Sequence, residues 1–401
     1  MNVLVLNCGS SSVKFQLIEL GAGAADPGRK LVVGMADRLG ADAVLQLKAE
    51  AGRKNPEPLR LKANDHDAAV GAIIQHLGER KRRIDAAGHR VVHGGAFFTE
   101  PVAIDDDVLA KLEALNDLAP LHNPPAVAGI RAARKAFGAA LPMAAVFDTA
   151  FHHTIPAAAF TYALPAELAE KHGIRRYGFH GVAHQYSLLR YAALRGMAPE
   201  KADLVTLHLG NGSSACAIRA GRSVDTSMGF TPLEGLVMGS RSGDLDPALV
   251  SYLARKENVG ADQVEHWLNQ RSGLRGLSGL SNDMRELLAA YESHPRARLA
   301  VDVFCYRARK YLGAYLAVVG GAGGVVFSGG IGENAPAVRQ KICAGMEWCG
   351  LLLDPAKNSA AIGVEAVISP PAARLQIHVI PSDEESIIAR AAARLFGRET
   401  H

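Results

Sequence analysis

Short apolar runs alternate with longer periodic stretches along the chain, and this order predicts strands followed by helices. Residues 2–6 form an apolar run, and Val13, Phe15 and Leu17 then alternate with Lys14, Gln16 and Ile18. This pattern predicts a β-hairpin across the serine-rich turn between the two runs. Further strands are predicted at 86–95, 143–152, 325–327 and from 376, and residues 204–221 are predicted to form a strand, a glycine–serine turn and a second strand. Helices are predicted at 65–80, 105–118, 124–138, 246–256, 261–270, 283–291, 295–319 and at the end of the chain. The alternation is typical of an α/β protein.

The hairpin near the start has a counterpart halfway along the chain. LNCGSSSVKF (6–15) aligns with LGNGSSACAI (209–218), sharing Leu, Gly, Ser and Ser at an offset of half the length. Glycine–serine turns are common in hairpins, so the likeness alone leaves chance open. Its position near the start of each half favours an internal duplication, and hence two similar domains with a cleft between them.

Residues 311–331 carry no charge and approach the length of a membrane span. Glycine pairs interrupt this stretch, and each glycine costs a helix about 1 kcal/mol relative to alanine. We therefore interpret it as a helix that ends near Gly320, a turn, and a buried strand.

Composition narrows the class of protein. The chain has 401 residues, a net charge of +4 and basic residues spread along its length, which does not favour nucleic acid as a partner. An odd number of cysteines, five, without a CxxC pair favours free thiols in a reducing compartment, and the N-terminus lacks the pattern of a signal peptide. These features predict a cytoplasmic protein.

Three glycine-rich turns, CGSSS, HLGNGSS and SGGIGEN, each follow an apolar strand. Glycine lets backbone approach a ligand closely, and Ser hydroxyls and N–H groups donate to phosphate oxygens. Ser10, Ser12 and Lys14 in the first turn are therefore candidates for phosphate binding, with Lys14 on the polar face of its strand. The third turn is predicted to bind the adenosine part of a nucleotide rather than its phosphates. The P-loop motif is absent, since no Gly-Lys pair occurs.

Charged side chains stand where predicted strands give way to loops: Arg90, Asp148, His180, Arg241 and Glu384. Each alone is explained as well by a structural ion pair. Together they suit phosphoryl transfer, which needs charge stabilisation and alignment more than covalent chemistry. Arginines can hold a carboxylate or phosphoryl group, and carboxylates can bind Mg²⁺. The HExxH and G-x-S-x-G motifs are absent.

The chain resembles the acetate kinases from end to end. The motifs that carry the resemblance, in family order, are VLVLNCGSSSVKF, HRVVHGG, PLHNPP, VFDTAFH, RRYGFHG, HLGNGSS, DTSMGFTPLEGLVMGSRSGDLDP, GLSGLSNDMRE, FSGGIGEN and PSDEE. Ser240 departs from the Thr usual in the family, and residues 21–60 vary freely there.

The resemblance implies two duplicated ribonuclease H-like domains facing an active-site cleft, as in sugar kinases, actin and heat-shock ATPases. We place the N-terminal domain at 1–149 plus a C-terminal helix at 385–401, and the nucleotide-binding domain at 150–384. The implied activity is ATP + acetate ⇌ ADP + acetyl phosphate with Mg²⁺, or Mn²⁺ in its place. The implied assembly is a homodimer without nucleic acid or membrane partners.

The resemblance also assigns roles residue by residue. Catalytic roles fall to Arg90, Asp148, His180 and Arg241, and the metal to Asn7 and Glu384. The acetate site is assigned to Arg90 and to Val92, Leu121, Phe179 and Pro232 around the methyl group. Nucleotide contacts are assigned to Ser10, Ser12, Lys14, His208, Leu209, Gly210, Asn211, Gly212, Asp283, Met284, Arg285, Gly330, Ile331, Gly332, Glu333 and Asn334.

Acetate is ionised at neutral pH, so its attack needs no general base. We therefore expect direct in-line transfer, with Asp148 aligning the metal or an arginine. Three alternatives stay open: a propionate or butyrate kinase, a non-catalytic nucleotide clamp, and a sugar kinase that uses Asp148 as its base.

Overall fold

The computed structural model describes residues 1–21, 28–48, 56–61, 65–79, 82–120, 122–138 and 140–397. Their contacts divide the chain into two compact units. The N-terminal unit comprises the described residues of 1–151 and 383–401, and the C-terminal unit comprises 152–382. The domain boundaries drawn from the resemblance stay a prediction.

The elements of the N-terminal unit follow the predicted order. Its strands are β1 (Asn2–Cys8), β2 (Ser12–Glu19), β3 (Arg29–Asp37), β4 (Val44–Lys48), β5 (Leu59–Arg60), β6 (Ala86–Val91), β7 (Val102–Ala103) and β8 (Met143–Phe147). Its first helices are α1 (His66–Glu79), α2 (Asp106–Ala114) and α3 (Asn123–Phe137), with 3₁₀ turns at Asn116–Leu118 and, running into the next unit, Ala150–Thr154.

The C-terminal unit contains more helix. Its helices are α4 (Ala157–Phe160), α5 (Ala166–His172), α6 (Gly181–Leu194), α7 (Ala248–Glu257), α8 (Ala261–Gln270), α9 (Gly273–Ser278), α10 (Met284–Ala289), α11 (Pro295–Val319), α12 (Gly329–Asn334), α13 (Pro336–Cys343) and α14 (Pro355–Ala360). Its strands are β9 (Leu204–Leu209), β10 (Ser213–Arg219), β11 (Arg222–Thr226), β12 (Gly324–Ser328), β13 (Ala366–Val367) and β14 (Gln376–Val379), with 3₁₀ turns at Pro199–Lys201 and Glu347–Cys349. The chain then returns to the N-terminal unit as α15 (Glu384–Phe396).

The two sheets repeat one topology, which supports the inferred duplication. Among the described residues, one sheet has the order β5-β4-β3-β2-β1-β6-β8-β7 and the other β11-β10-β9-β12-β14-β13. In each, an antiparallel hairpin (β1–β2 or β9–β10) is joined by two parallel strands, and a short antiparallel strand closes the edge. The predicted duplicated α/β fold is confirmed.

Local sequence accounts for the main elements. The apolar run in β1 is buried at most positions, as expected of a central strand covered on both faces. Helix α3 has Pro124 and Pro125 in its first turn, where backbone N–H groups would have no acceptor within the helix. Helix α11 ends at Gly320 and is followed by strand β12, as predicted. No helix in the described ranges is long and apolar enough to span a membrane.

Buried histidines make the fold sensitive to acid. His378 in β14 is 2% exposed, and within the described part of the chain its ring nitrogens have no hydrogen-bond partner. Burial lowers the pKa of His378 to about 4. Since the unfolded chain then binds a proton at higher pH than the folded chain, stability is full above the ordinary histidine pKa near 6.5 and is lost as pH falls toward 4.

We predict that His378→Phe flattens this pH dependence. Phenylalanine has a similar shape and keeps the aromatic contact with Tyr191, whose ring lies 4.9 Å away. Between pH 7 and pH 5 the variant should lose about 1–2 kcal/mol less unfolding free energy than the native chain. Urea unfolding at both pH values measures this, with exposed His172→Gln as the matched control. Equal losses in the native chain and the His378 variant would contradict the prediction.

Candidate active site

Four of the predicted site residues meet in the N-terminal unit around Arg90. Arg90 lies near the end of β6 and Asp148 directly after the parallel neighbour β8, so the topology places them side by side. Arg90 Nε donates to Asp148 Oδ1 at 3.0 Å, and Nη2 donates to Oδ2. Arg90 Nη1 donates to Asn7 Oδ1 at 3.2 Å, and Glu384 Oε2 lies 3.7 Å from Nε. The fork geometry gives Arg90 a fixed orientation.

The charges of this cluster keep Arg90 cationic. Burial by itself would lower the pKa of the guanidinium, but the carboxylates of Asp148 and Glu384 outweigh burial and raise it. Asp148 is 1% exposed, whereas the Arg90 and Glu384 side chains are about one-fifth exposed. Arg90 is therefore an oriented cation on the more accessible side of a buried carboxylate.

Lys14 lies on the same sheet face as this cluster. In the β1–β2 hairpin Lys14 stands directly opposite Asn7, so the two side chains project from the same face of the sheet. Lys14 is exposed, as the alternation predicts. Ser10 is exposed in the turn, and the carbonyl of half-buried Ser12 accepts from Gly9 N at 2.8 Å.

In the C-terminal unit, His180 and Arg241 meet at Gly212. A Cβ added at Gly212 would lie 3.3 Å from Cε1 and 3.4 Å from Nε2 of His180, and 3.6 Å from Nη2 of Arg241. A side chain on residue 212 would therefore press on the His180 ring and make van der Waals contact with Arg241. His180 has φ +59°, a left-handed conformation uncommon for a non-glycine residue and frequent at functional sites.

Arg241 differs from Arg90 in that no nearby carboxylate of the described residues balances its positive charge. Its Nη1 donates to the Pro232 carbonyl at 2.8 Å, and no carboxylate within the described ranges forms an ion pair with it. Partial burial lowers the pKa of Arg241, because a guanidinium that loses water without gaining an anion is disfavoured. Such a residue gains most when an anionic ligand binds.

A polar network outside the predicted site residues holds the irregular segment 227–247, which carries Pro232 and Arg241. Arg176 Nη1 donates to the carbonyls of Thr226, Ser227 and Met228, and Nη2 donates to Glu234 at 2.6 Å. Tyr162 donates to the other oxygen of Glu234. Arg176 lies in the quoted motif RRYGFHG, but its partners are 50 or more residues away, so only the fold reveals its role.

The predicted nucleotide segments of this unit lie next to one another. The parallel pairing of β9 with β12 sets His208 beside Ser328, with His208 Nδ1 3.3 Å from Ser328 Oγ. Asn282 Nδ2 donates to Asn211 Oδ1 at 3.0 Å, which brings residues 283–285 to the turn at 210–212. Asp283 caps α10 by accepting from Arg285 N. Leu209 and Met284 are buried in the apolar core.

The segment SGGIGEN corrects one prediction. It is not a glycine turn before a helix, because residues 329–334 themselves form the short helix α12. Gly329 has φ +74°, and a Cβ there would lie 2.6 Å from the Leu209 carbonyl oxygen, so the chain needs glycine at this position. The packing of this glycine keeps α12 against the end of β9.

Arg339 supports α12 and was missed by the sequence analysis. This residue is fully buried and donates to the carbonyls of Gly332, Glu333, Asn358 and Ala361 and to Asn358 Oδ1. It thus satisfies carbonyls at the C-terminal end of a glycine-rich helix. A single arginine in a polar helical pattern gave no signal of this burial.

The residues predicted around the acetate methyl group belong to both units of the chain. Val92 is half-buried in the N-terminal unit, directly after β6. In the C-terminal unit Phe179 is buried and Pro232 is half-buried. Leu121 lies outside the described residues. Their joint role as a pocket stays a prediction.

One arginine paired with carboxylates, one arginine without them and glycine turns on a duplicated α/β scaffold are features that suit phosphoryl transfer. The chain belongs to the acetokinase family, whose model matches residues 2–390.

Individual relatives agree along the full length. The acetate kinase of Solibacter usitatus is 50% identical, with each chain covered completely. The crystal structure of the Porphyromonas gingivalis acetate kinase has a TM-score of 0.91 at 41% identity, covering 98% of this chain and 99% of that one. A propionate kinase from Francisella tularensis has a TM-score of 0.90 at 40% identity, covering 97% and 98%.

Proposed function

We propose that the protein transfers the terminal phosphoryl group of ATP reversibly to acetate, giving acetyl phosphate and ADP by direct in-line displacement. The observation that carries the proposal is the contrast between Arg90, oriented by carboxylates, and Arg241, half-buried and without a carboxylate partner among the described residues. The first suits a fixed contact to an anion, and the second suits charge that develops during transfer. The names of the relatives support acetate as acceptor.

The chemistry requires charge stabilisation rather than proton removal. Acetate is already a carboxylate at neutral pH, so repulsion between two anions is the main obstacle to its attack. Arg90, Arg241 and the Nε2 edge of His180 supply positive charge or hydrogen-bond donors against it. A preorganised arginine of this kind is worth about 10³ to 10⁵ in rate.

Mg²⁺, with Mn²⁺ as substitute, is proposed at Asn7 and Glu384. Both contribute oxygen donors, which hard divalent cations prefer, and both neighbour Arg90. Within the described residues no group of three or more His, Cys, Asp or Glu could hold a metal alone. Two protein ligands fit Mg²⁺ that is bound mainly through substrate phosphates, where it offsets phosphate charge.

Assembly and compartment belong to the same proposal. A homodimer rests on the family resemblance, and light scattering on the purified protein tests it. All five cysteines are free thiols, which supports a reducing compartment such as the cytoplasm.

Trapping the product with hydroxylamine tests the reaction. With ATP and acetate we expect acyl hydroxamate to form, and without acetate we expect none. A nucleotide clamp would hydrolyse ATP regardless of acetate, and a sugar kinase would phosphorylate a hexose instead. A phosphorylated enzyme that passes its group to acetate at the rate of turnover would exclude direct transfer.

Relative turnover of acetate, propionate and butyrate decides the preferred acyl chain. We predict that Val92→Ala raises kcat/KM for propionate relative to acetate by about ten-fold, since one methylene in an apolar pocket is worth about 1–3 kcal/mol. The half-buried position of Val92, two residues after Arg90, supports this assignment. Val102→Ala, at a half-buried position of edge strand β7, is the control. An unchanged ratio in the Val92 variant would remove Val92 from the pocket.

A further inference from the structure

Four side chains of the C-terminal unit form an unbroken hydrogen-bond chain that ends at His180. Thr206 Oγ1 lies 2.7 Å from His184 Nδ1, and His184 Nε2 lies 2.8 Å from Ser214 Oγ. Ser214 Oγ lies 2.8 Å from His180 Nδ1. Thr206, His184 and Ser214 are fully buried, so water cannot replace any link.

The hydrogen bonds of this chain can point, from donor to acceptor, in either of two directions. Burial, reinforced by the charges that His152 and His208 would carry, keeps the pKa of His184 well below its ordinary value, so its ring is neutral with one N–H. If that N–H is on Nδ1, it donates to Thr206. The Thr206 hydroxyl hydrogen is then left without an acceptor, because within the described residues His184 is the only hydrogen-bond partner of this hydroxyl, side chain or backbone.

The opposite direction uses every hydrogen in the chain. Thr206 then donates to His184 Nδ1, His184 Nε2–H donates to Ser214, and Ser214 donates to His180 Nδ1. Only a lone pair of Thr206 lacks a partner, and a buried unpaired acceptor lone pair is tolerated better than a buried unpaired donor. In this direction a neutral His180 carries its proton on Nε2.

We propose that Thr206, His184 and Ser214 are positioning residues that hold His180 as the neutral tautomer with a proton on Nε2. The inference rests on the proposed phosphotransfer function for its purpose. Nε2 belongs to the ring edge that borders Gly212 beside Arg241. An N–H on that edge donates to an anionic oxygen, whereas the other tautomer would present a lone pair that repels it.

The tautomer of the free enzyme gives a test that does not depend on activity. In protein labelled with ¹⁵N-histidine, with His180→Gln to assign the signal, we expect Nε2 of His180 to be of the protonated type and Nδ1 of the unprotonated type. A resting His180 with its proton on Nδ1 would overturn the proposal, whichever acceptor the enzyme uses.

Thr206→Val removes the hydroxyl that starts the chain and keeps the shape of the side chain. We expect His180 to shift toward the Nδ1–H tautomer and kcat to fall about ten-fold, the value of one hydrogen bond, with KM for ATP unchanged. Thr206→Ser restores the hydroxyl and should restore the native tautomer and kcat.

The outcomes separate the two claims. Loss of kcat in Thr206→Val with an unchanged tautomer would mean a merely structural role and contradict the proposal. Should Thr206→Val not fold, the tautomer in Ser214→Ala decides in the same way. A protein with the expected tautomer and no acetate-dependent hydroxamate would refute the proposed function, while the proposed role of the hydrogen-bond chain would stand.

Discussion

Arg241→Gln is expected to lower kcat for acetyl phosphate formation by about 10³-fold, the largest effect of any single change we predict. Arg241 is half-buried beside His180 and Gly212 and has no carboxylate partner among the described residues. Its charge is therefore available to a ligand. Glutamine keeps a hydrogen-bond donor but removes the charge, so the loss reports electrostatic stabilisation of the phosphoryl group.

Arg241→Lys separates charge from geometry. Lysine restores a point charge without the planar fork, and we expect it to recover only a small part of the lost rate. Arg255→Gln, an exposed arginine in α7, is the matched control and should leave kcat unchanged. Thermal unfolding of each variant checks the fold. A folded Arg241→Gln variant within ten-fold of the native rate would place the developing charge elsewhere.

Much of the scaffold follows from the sequence because its signals are local. The β1–β2 hairpin, the proline start of α3 and the end of α11 at Gly320 each depend on residues within a few positions. The duplication could also be inferred from the sequence, because two similar hairpin sequences stand near the start of each half of the chain, and the two sheets repeat one topology.

Elements held by distant contacts could not be predicted. GGIGEN has low helix propensity, yet it forms α12 because Arg339 binds its carbonyls and Gly329 packs on Leu209. The site itself divides in the same way. The motifs identified Arg90, His180 and Arg241. The hydrogen-bond chain through Thr206, His184 and Ser214, in contrast, joins residues that only the fold brings together.

The two arginines also show how environment assigns different tasks to one residue type. Arg90 is balanced by Asp148 and Glu384, so it offers orientation with little unneutralised charge. Arg241 offers unneutralised charge, while its segment is held by the network around Arg176 and Glu234. A reaction between two anions benefits from both properties.

Asp148→Asn tests whether the buried carboxylate aligns Arg90 or transfers a proton. The carboxylate is 1% exposed and accepts from two nitrogens of Arg90, so its neutral isostere should weaken the orientation of that guanidinium. We expect kcat to fall about 10²-fold, and the free energy of unfolding to fall by about 3–5 kcal/mol, because a buried ion pair loses one partner.

The pH dependence distinguishes alignment from proton transfer. Arg90 keeps its charge because Asp148 and Glu384 raise its pKa against the effect of burial, and acetate is ionised throughout the neutral range. The profile of kcat against pH should therefore keep its shape in Asp148→Asn and shift only downward. Loss of one limb of the profile would instead identify Asp148 as an acid or base.

A double-mutant cycle with Arg90→Lys completes the test. If Asp148 acts through Arg90, each single change disrupts the same contact, and the double variant should lose little more rate than the worse single variant. Lys111→Gln, at an exposed ion pair with Asp107 in α2, is the surface control for altered charge. Multiplicative losses in the double variant would show that Asp148 contributes to catalysis independently of Arg90.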